Sequence, residues 1–265
     1  MILITGGTGF LGSHVAAYLA SRGRDVVVMK RKESSTRELN MIFQYHFGNR
    51  ASDFLQKISF IDGDIRRAED VHQAIDSGIT QVYHCAATVS FDKKDHSLMY
   101  EINVGGTTTL INALLEKGNI RLCHVSSIAA LGRSKNKDFI TEQTLWENNG
   151  QNTVYSKTKY QAELEVWRGI AEGLDACIVQ PGIIMGVGHK GKGTCKLFGL
   201  VEKGLPFYTK GINGYVDVRD VAQLMILLMD SGISSERFLL ISENLSYRDL
   251  LSKIANAFEK KPPYI

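Results

Sequence analysis

Tyr155 and Lys159 stand four residues apart in "YSKTK", inside a stretch, Val154–Glu172, whose apolar spacing predicts a helix. That spacing puts a phenol and an amine on one helical face. A phenol ordinarily loses its proton at about pH 10. A neighbouring ammonium favours the phenolate, so a poised pair can pass a proton to or from a carbonyl or alkoxide oxygen. Ser126 and Ser127, in "VSSIAALG", close a predicted strand. A serine hydroxyl beside the phenol could hold the same oxygen and stabilise developing charge. On the residues alone, either serine could serve. A Tyr–Lys pair at this spacing occurs on many helices; its weight comes from what precedes it in the chain.

What precedes it is "TGGTGFLG", with Gly6, Gly9 and Gly12 set between the apolar Ile2–Ile4 and the helical pattern Phe10–Arg22. Glycines allow a tight turn and a close approach of backbone to a pyrophosphate, and the helix start then offers free N–H groups and partial positive charge. Thr8, Phe10 and Leu11 complete the cradle, while Gly12 lets helix and strand approach. The next apolar run, Val26–Met29, ends in Lys30 and Arg31. An acid there would accept hydrogen bonds from the adenosine ribose and repel a 2′-phosphate; cations do the reverse. NADP(H) is therefore favoured, with NAD(H) the alternative, and a solvated charge run the bland reading of the same residues.

The elements that must position these groups alternate. Strands are predicted at Met1–Thr5, Val26–Met29, Ile58–Ile61, Gln81–Cys85, Arg121–Ser126 and Ala176–Gln180. Helices are predicted at Phe10–Arg22, Ala68–Ser77, Ser97–Lys117 and Val154–Glu172. This is the pattern of an α/β fold, a Rossmann-like doubly wound parallel sheet, over 1–180. Residues 181–265 are expected to form a smaller substrate lobe, partly returning to the first domain. In it "GVGHKGKG", Gly186–Gly193, reads as a mobile loop, followed by helices near Cys195–Lys203, Val218–Asp230 and Tyr247–Lys260 and a strand at Phe238–Ile241. A net charge of +3 gives no argument for nucleic acid, and no apolar run reaches membrane-spanning length. The N-terminus reads as a strand rather than a secretory leader. Four cysteines without C-x-x-C spacing suggest a reduced, cytoplasmic protein with neither disulfides nor metal.

The G-x-x-G-x-x-G loop, the Tyr–Lys pair, "NVGGT" and "QPGIIMG" together resemble the extended branch of the short-chain dehydrogenase/reductase superfamily, the NAD-dependent epimerase/dehydratase family, over almost the whole chain. The resemblance implies that Ser127 is the catalytic serine, counting back five residues from Gly132, with Ser126 lining the nicotinamide pocket or capping the strand. It places Asp64 and Ile65 of "DGDI" at the adenine, and the small residues Cys85, Ala86 and Ala87 along the cofactor, with His84 a packed histidine. It places Asn103 near the active site, and Pro181, Gly182, Ile183 and Ile184 at the nicotinamide carboxamide. Tyr155 and Lys159 would also touch the cofactor, the lysine through the nicotinamide ribose.

Within that branch, sugar-nucleotide epimerases carry an arginine that grips the substrate diphosphate, a contact hard to replace. In "GYVDVRDVA" that position holds Asn213, followed by Gly214, and Arg219 is displaced. The dehydratases' Asp-Glu pair is replaced by Ile128 and Ala129. The chain thus looks most like the dihydroflavonol 4-reductase-like group. That likeness implies reduction of a small-molecule ketone or aldehyde to an alcohol, with Tyr155 as proton donor. A nucleotide-sugar epimerase or dehydratase is the alternative, and a non-catalytic cofactor-sensing protein a second. Relatives dimerise through the two long helices, so a homodimer is expected. They also run several tens of residues further, so an incomplete lobe is expected.

Overall fold

The computed structural model describes residues 1–76, 78–90, 92–132, 139–148, 150 and 152–264. The chain runs β1 (Ile2–Thr5), α1 (Phe10–Ser21), β2 (Val26–Lys30), α2 (Arg37–Phe47), α3 (Ala51–Leu55), β3 (Ile58–Asp62), α4 (Ala68–Ile75), β4 (Gln81–His84) and α5 (His96–Met99). A π-helical turn, Tyr100–Gly105, then leads into α6 (Gly106–Lys117), β5 (Arg121–Val125), α7 (Val154–Ala171) and β6 (Ala176–Pro181). There follow β7 (Ile183–Met185), α8 (Cys195–Glu202), β8 (Ile212–Asp217), α9 (Val218–Asp230), β9 (Glu236–Leu240), β10 (Glu243–Ser246) and α10 (Tyr247–Ala257).

Seven strands pair in parallel in the order β3-β2-β1-β4-β5-β6-β9, with Ile2 opposite Val26 on one side and Gln81 on the other. Strands buried on both faces must be apolar at every position, which is why the runs do not alternate. Ile4, Val28, Tyr83, Cys123 and Val179 pack with residues of α1, α2 and α9. Leu3, Val27, Val82, Leu122 and Ile178 pack with α4, α6 and α7. The strand order reverses between β1 and β4, and a ligand crevice forms outside the carboxyl ends of strands at such a switch point. This is the Rossmann-like doubly wound sheet that the alternation predicts. The six predicted strands each lie within a residue of their expected ends. Ser77, expected to end the helix after β3, is outside the described residues.

A second sheet, β10-β8-β7, carries its own cluster of Tyr215, Val201, Leu250, Leu251 and Ile254 with α8 and α10. Between its strands the chain returns to the first sheet. Met225 and Met229 of α9 join the core shared with α1, and β9 pairs with β6. Val218–Leu240 therefore belongs to the layers of the main sheet, and the lobe is drawn from the segments on either side. The expected continuous helix Ser97–Lys117 is interrupted by the π-helical turn, a feature often found beside functional sites. No helix among the described residues is long and apolar enough to cross a membrane. Among them no group of three His, Cys, Asp or Glu side chains is placed to hold a metal ion.

Candidate active site

The glycine loop lies at the switch point. Gly6 has φ +72°, and a Cβ there would fall 2.7 Å from the backbone N of Ala86. The loops after β1 and β4 thus touch backbone to backbone. A Cβ at Gly12 would lie 2.4 Å from the carbonyl oxygen of Gly6. Ser13 fixes the turn by donating its hydroxyl to Gly9 O at 2.7 Å and Gly7 O at 3.1 Å. Thr8, Gly9, Phe10 and Leu11 face partly outward. α1 begins with no side-chain cap at Gly9 and no acid in its first turn, so its leading N–H groups keep their pull on an anion. The diphosphate of a dinucleotide fits this cradle.

At the far end of the crevice the two cations differ. Lys30 donates from Nζ to Asp62 Oδ1 at 2.8 Å across the β2–β3 pair, with most of its side chain buried. Arg31 is half-exposed and lies 3.4 Å from Glu33 Oε1. Asp64 receives Arg66 Nη2 at 2.6 Å, and its carboxyl is held below the usual range by Arg66 first, with Arg31 adding. Arg31 and Asp64 therefore share one corner. Ile65 is buried against Gly106, where a Cβ would come within 2.7 Å. Cys85 and Ala86 are partly covered and Ala87 is exposed. Burial pushes the Cys85 thiol up to about 12.

The residues expected to transfer a proton sit where α7 starts over the end of β5. Thr153 caps α7 by accepting from Ser156 N at 3.1 Å, which places Tyr155 in the first turn. Burial raises the Tyr155 phenol, and the neighbouring Ser127 side chain pulls it back. Lys159 is buried and donates from Nζ to Val125 O at 2.6 Å. Its amine is drawn down to about 8 by burial, opposed by the Glu163 charge and then by Cys85. The serines part ways: Ser127 accepts from Ala129 N at 3.2 Å and meets Tyr155, whereas Ser126 donates inward to Glu163 Oε2 at 2.5 Å. Asn103 spends its side chain on protein. Its Nδ2 donates to Thr88 O at 2.9 Å and Thr158 Oγ1 at 3.0 Å, and its Oδ1 accepts from Thr88 N at 2.7 Å. It clips the loop after β4 to α7 rather than reaching into the crevice. Pro181 is buried at the end of β6, and Gly182 packs on the backbone of Gly214, where a Cβ would lie 2.4 Å from the carbonyl oxygen. Ile183 and Ile184, half-buried in β7, follow directly.

Residues 2–240 match the model of the NAD dependent epimerase/dehydratase family. The chain belongs to that family. It is an NAD(P)-dependent enzyme of the extended short-chain dehydrogenase/reductase type. It is 27% identical to the sterol demethylase protein B of Methylococcus capsulatus over 94% of this chain and 72% of that protein. It is likewise 27% identical to a putative dihydroflavonol 4-reductase of Synechocystis, over 95% of this chain and 71% of the relative. Among solved structures it superposes on the Thermus thermophilus UDP-glucose 4-epimerase in complex with NAD with a TM-score of 0.80. The two are 25% identical, covering 99% of this chain and 84% of the other.

Two further features of this epimerase/dehydratase family member bear on its substrate side. Arg219 is locked by Asp217, donating from Nε at 2.9 Å and Nη2 at 2.7 Å. The glycine-rich loop that the sequence predicts to be mobile is fastened instead. His14 Nε2 donates to Val187 O at 2.9 Å, Gly188 packs on the Phe10 ring, and His189 N donates to Glu38 Oε1 at 3.2 Å. Glu38 lies on α2, an element the sequence reading does not assign, so that anchor was out of sight. Since His14 Nε2 donates, its Nδ1 accepts from His46 Nε2 at 2.8 Å, and burial lowers both imidazoles, His46 to about 4.

Sequence reasoning also misses Glu163, Gln180 and Arg237. Glu163 accepts from Gln180 Nε2 at 2.8 Å and Arg237 Nη1 at 3.0 Å, and is buried. The signal was present: Tyr155, Lys159 and Glu163 follow at successive intervals of four, along one helical face.

Proposed function

We propose that this family member reduces a ketone or aldehyde to an alcohol, with NADP(H) as the redox partner, Tyr155 as proton donor, Ser127 as the holder of the reacting oxygen and Lys159 as the charge that tunes the phenol. The observation that carries it is the buried Lys159, one helical turn from Tyr155, bonded to the carbonyl of Val125 two residues before Ser127 at the carboxyl end of β5. When bound, the nicotinamide supplies the hydride to the carbonyl carbon. Ser127 and Tyr155 converge on the carbonyl oxygen, and as negative charge builds there the phenol gives up its proton. Lys159 anchors to Val125 O and keeps its other N–H donors for the ribose, so one ammonium both orients the cofactor and favours the phenolate left behind.

Arg31, the half-exposed cation beside Asp64, is the residue we assign to a 2′-phosphate; Lys30 already has Asp62. Reduction is favoured over chemistry on a nucleotide sugar because Arg219, the displaced guanidinium of "GYVDVRDVA", is committed to Asp217. The likeness to a putative dihydroflavonol 4-reductase supports the same choice. The partly exposed Leu98, Tyr100 and Leu164 on α5, its π-helical continuation and α7 are proposed to meet a second copy, which light scattering would register as a dimer.

The test follows NADPH absorbance across aromatic and aliphatic aldehydes, ketones and nucleotide sugars. Stoichiometric NADPH oxidation with a carbonyl compound is the expected result. Conversion of a nucleotide sugar without net change in the cofactor would replace reduction by epimerisation. Cofactor binding with no turnover across the whole panel would replace it by a sensing role.

A further inference from the structure

We infer that Glu163 is the positioning residue of this active site, a buried carboxylate that holds the end of β5 against α7 and supplies the counter-charge for Lys159, and is itself paired with Arg237 from the outer strand β9. The inference rests on the reading of Tyr155 and Lys159 as the reaction centre.

Three residues spaced by four on α7 meet three consecutive residues at the end of β5. Lys159 bonds Val125 O at 2.6 Å, Glu163 receives Ser126 Oγ at 2.5 Å, and Tyr155 meets Ser127. One helical face is thus zipped to the strand terminus, and Glu163 is the member that touches neither phenol nor substrate oxygen. Its partners come from the residue after β5, from β6 and β9, and from its own helix. Ser126 and Gln180 reach Oε2, while Gln180 at 3.0 Å, Arg237 at 3.0 Å and Trp167 at 3.3 Å reach Oε1. The amide, indole and guanidinium can only donate here, so the carboxyl is an acceptor on both oxygens, as a carboxylate is. A buried carboxylate persists only when paired and hydrogen-bonded. Arg237 does both, and its second arm reaches the carbonyl of Glu142, in the segment between Ser127 and Tyr155.

The ionisable groups acting with Lys159 are the Glu163 carboxylate, the Cys85 thiol and the imidazoles of His84 and His124. Burial keeps the two imidazoles neutral and the thiol protonated, so the carboxylate is what offsets the desolvation of the ammonium. Removing it lowers the pH at which Lys159 loses its proton.

The experiment reads the Lys159 Cε resonance against pH in lysine-labelled protein, with the peak assigned by its disappearance in Lys159→Met. In wild type the midpoint is expected near 8. Glu163→Gln should move it down by about one pH unit or more, while Ser126→Ala, which keeps the carboxylate, leaves it in place. If Glu163→Gln fails to fold, the double variant Glu163→Gln/Arg237→Gln removes both charges, strands neither, and must show the same lowered midpoint. An unchanged midpoint in whichever variant folds overturns the inference. The titration needs no substrate. A shifted midpoint in a chain that reduces nothing counts against the proposed function alone, and an unshifted midpoint in an active reductase counts against Glu163 alone.

Discussion

The two ends of the crevice are built differently. At the β5–α7 end, Ser127, Lys159 and Glu163 are buried, Tyr155 is half-buried, and each has a fixed partner on a sheet or helix. At the end proposed for the adenosine, Arg31 stands half-exposed and Lys30 is paired with Asp62 of a neighbouring strand. Rigid, desolvated groups suit the step that must be timed to within one proton. Exposed charges suit a contact that only selects between two cofactors. Substitutions should therefore have large effects on rate at the first end and modest effects on affinity at the second.

Tyr155→Phe should show the largest effect. Steady-state turnover is expected to fall about 10²–10⁴-fold, with NADP(H) affinity by calorimetry unchanged within a few-fold. Ser127→Ala should lower turnover about 10²–10³-fold, whereas Ser126→Ala should act chiefly on thermal stability through the lost bond to Glu163, about 1.5–3 kcal/mol. Equal rate losses for the two serines would break the distinction that the structure draws between them.

Gly12→Ala adds a Cβ that would lie 2.4 Å from Gly6 O. Backbone must shift, so cofactor affinity should drop by more than tenfold, together with about 1–3 kcal/mol of stability. At the other end, Arg31→Asp should turn the preference toward NAD(H) by about tenfold, equivalent to ~1.4 kcal/mol. Lys30→Ala should shift it by less. A larger change at Lys30 than at Arg31 would show that Asp62 releases the lysine when the cofactor binds.

A separate prediction concerns stability against pH. His46 stays neutral in the folded protein down to about 4, against 6.5 for an ordinary imidazole, and His14 and His84 are lowered in the same direction by burial. The unfolded chain therefore binds more protons between about pH 6.5 and 4, so stability falls as pH drops through that window. Melting temperature should decline steadily from pH 7 to 5; a flat profile would mean that His14, His46 and His84 are not held buried and neutral in solution.

Much of this was legible in the residues. The parallel sheet declared itself through runs such as "VVVM", apolar at every position because both faces are covered. The glycine loop and the Tyr–Lys pair were found by spacing. The second sheet was not: β7 has three residues, β10 reads "ENLS", and β8 contains Asn213 and Gly214. Gly214 looks like a turn until its surroundings are seen, since a Cβ there would fall 2.4 Å from Ile241. Asn103 was expected near the active site, and only contacts show that its amide is consumed by Thr88 and Thr158. The count back from Gly132 pointed to Ser127, but that Ser126 is consumed by Glu163, a residue 37 positions away, is carried by no local pattern.

The most direct measurement follows deuterium from nicotinamide labelled at C4 into the product, in wild type and in Tyr155→Phe. One deuterium is expected on the carbinol carbon of the alcohol in wild type, with product formation slowed when the tyrosine is removed. An unlabelled product, or labelled product formed at the same rate in both proteins, would contradict hydride transfer with Tyr155 as the proton donor.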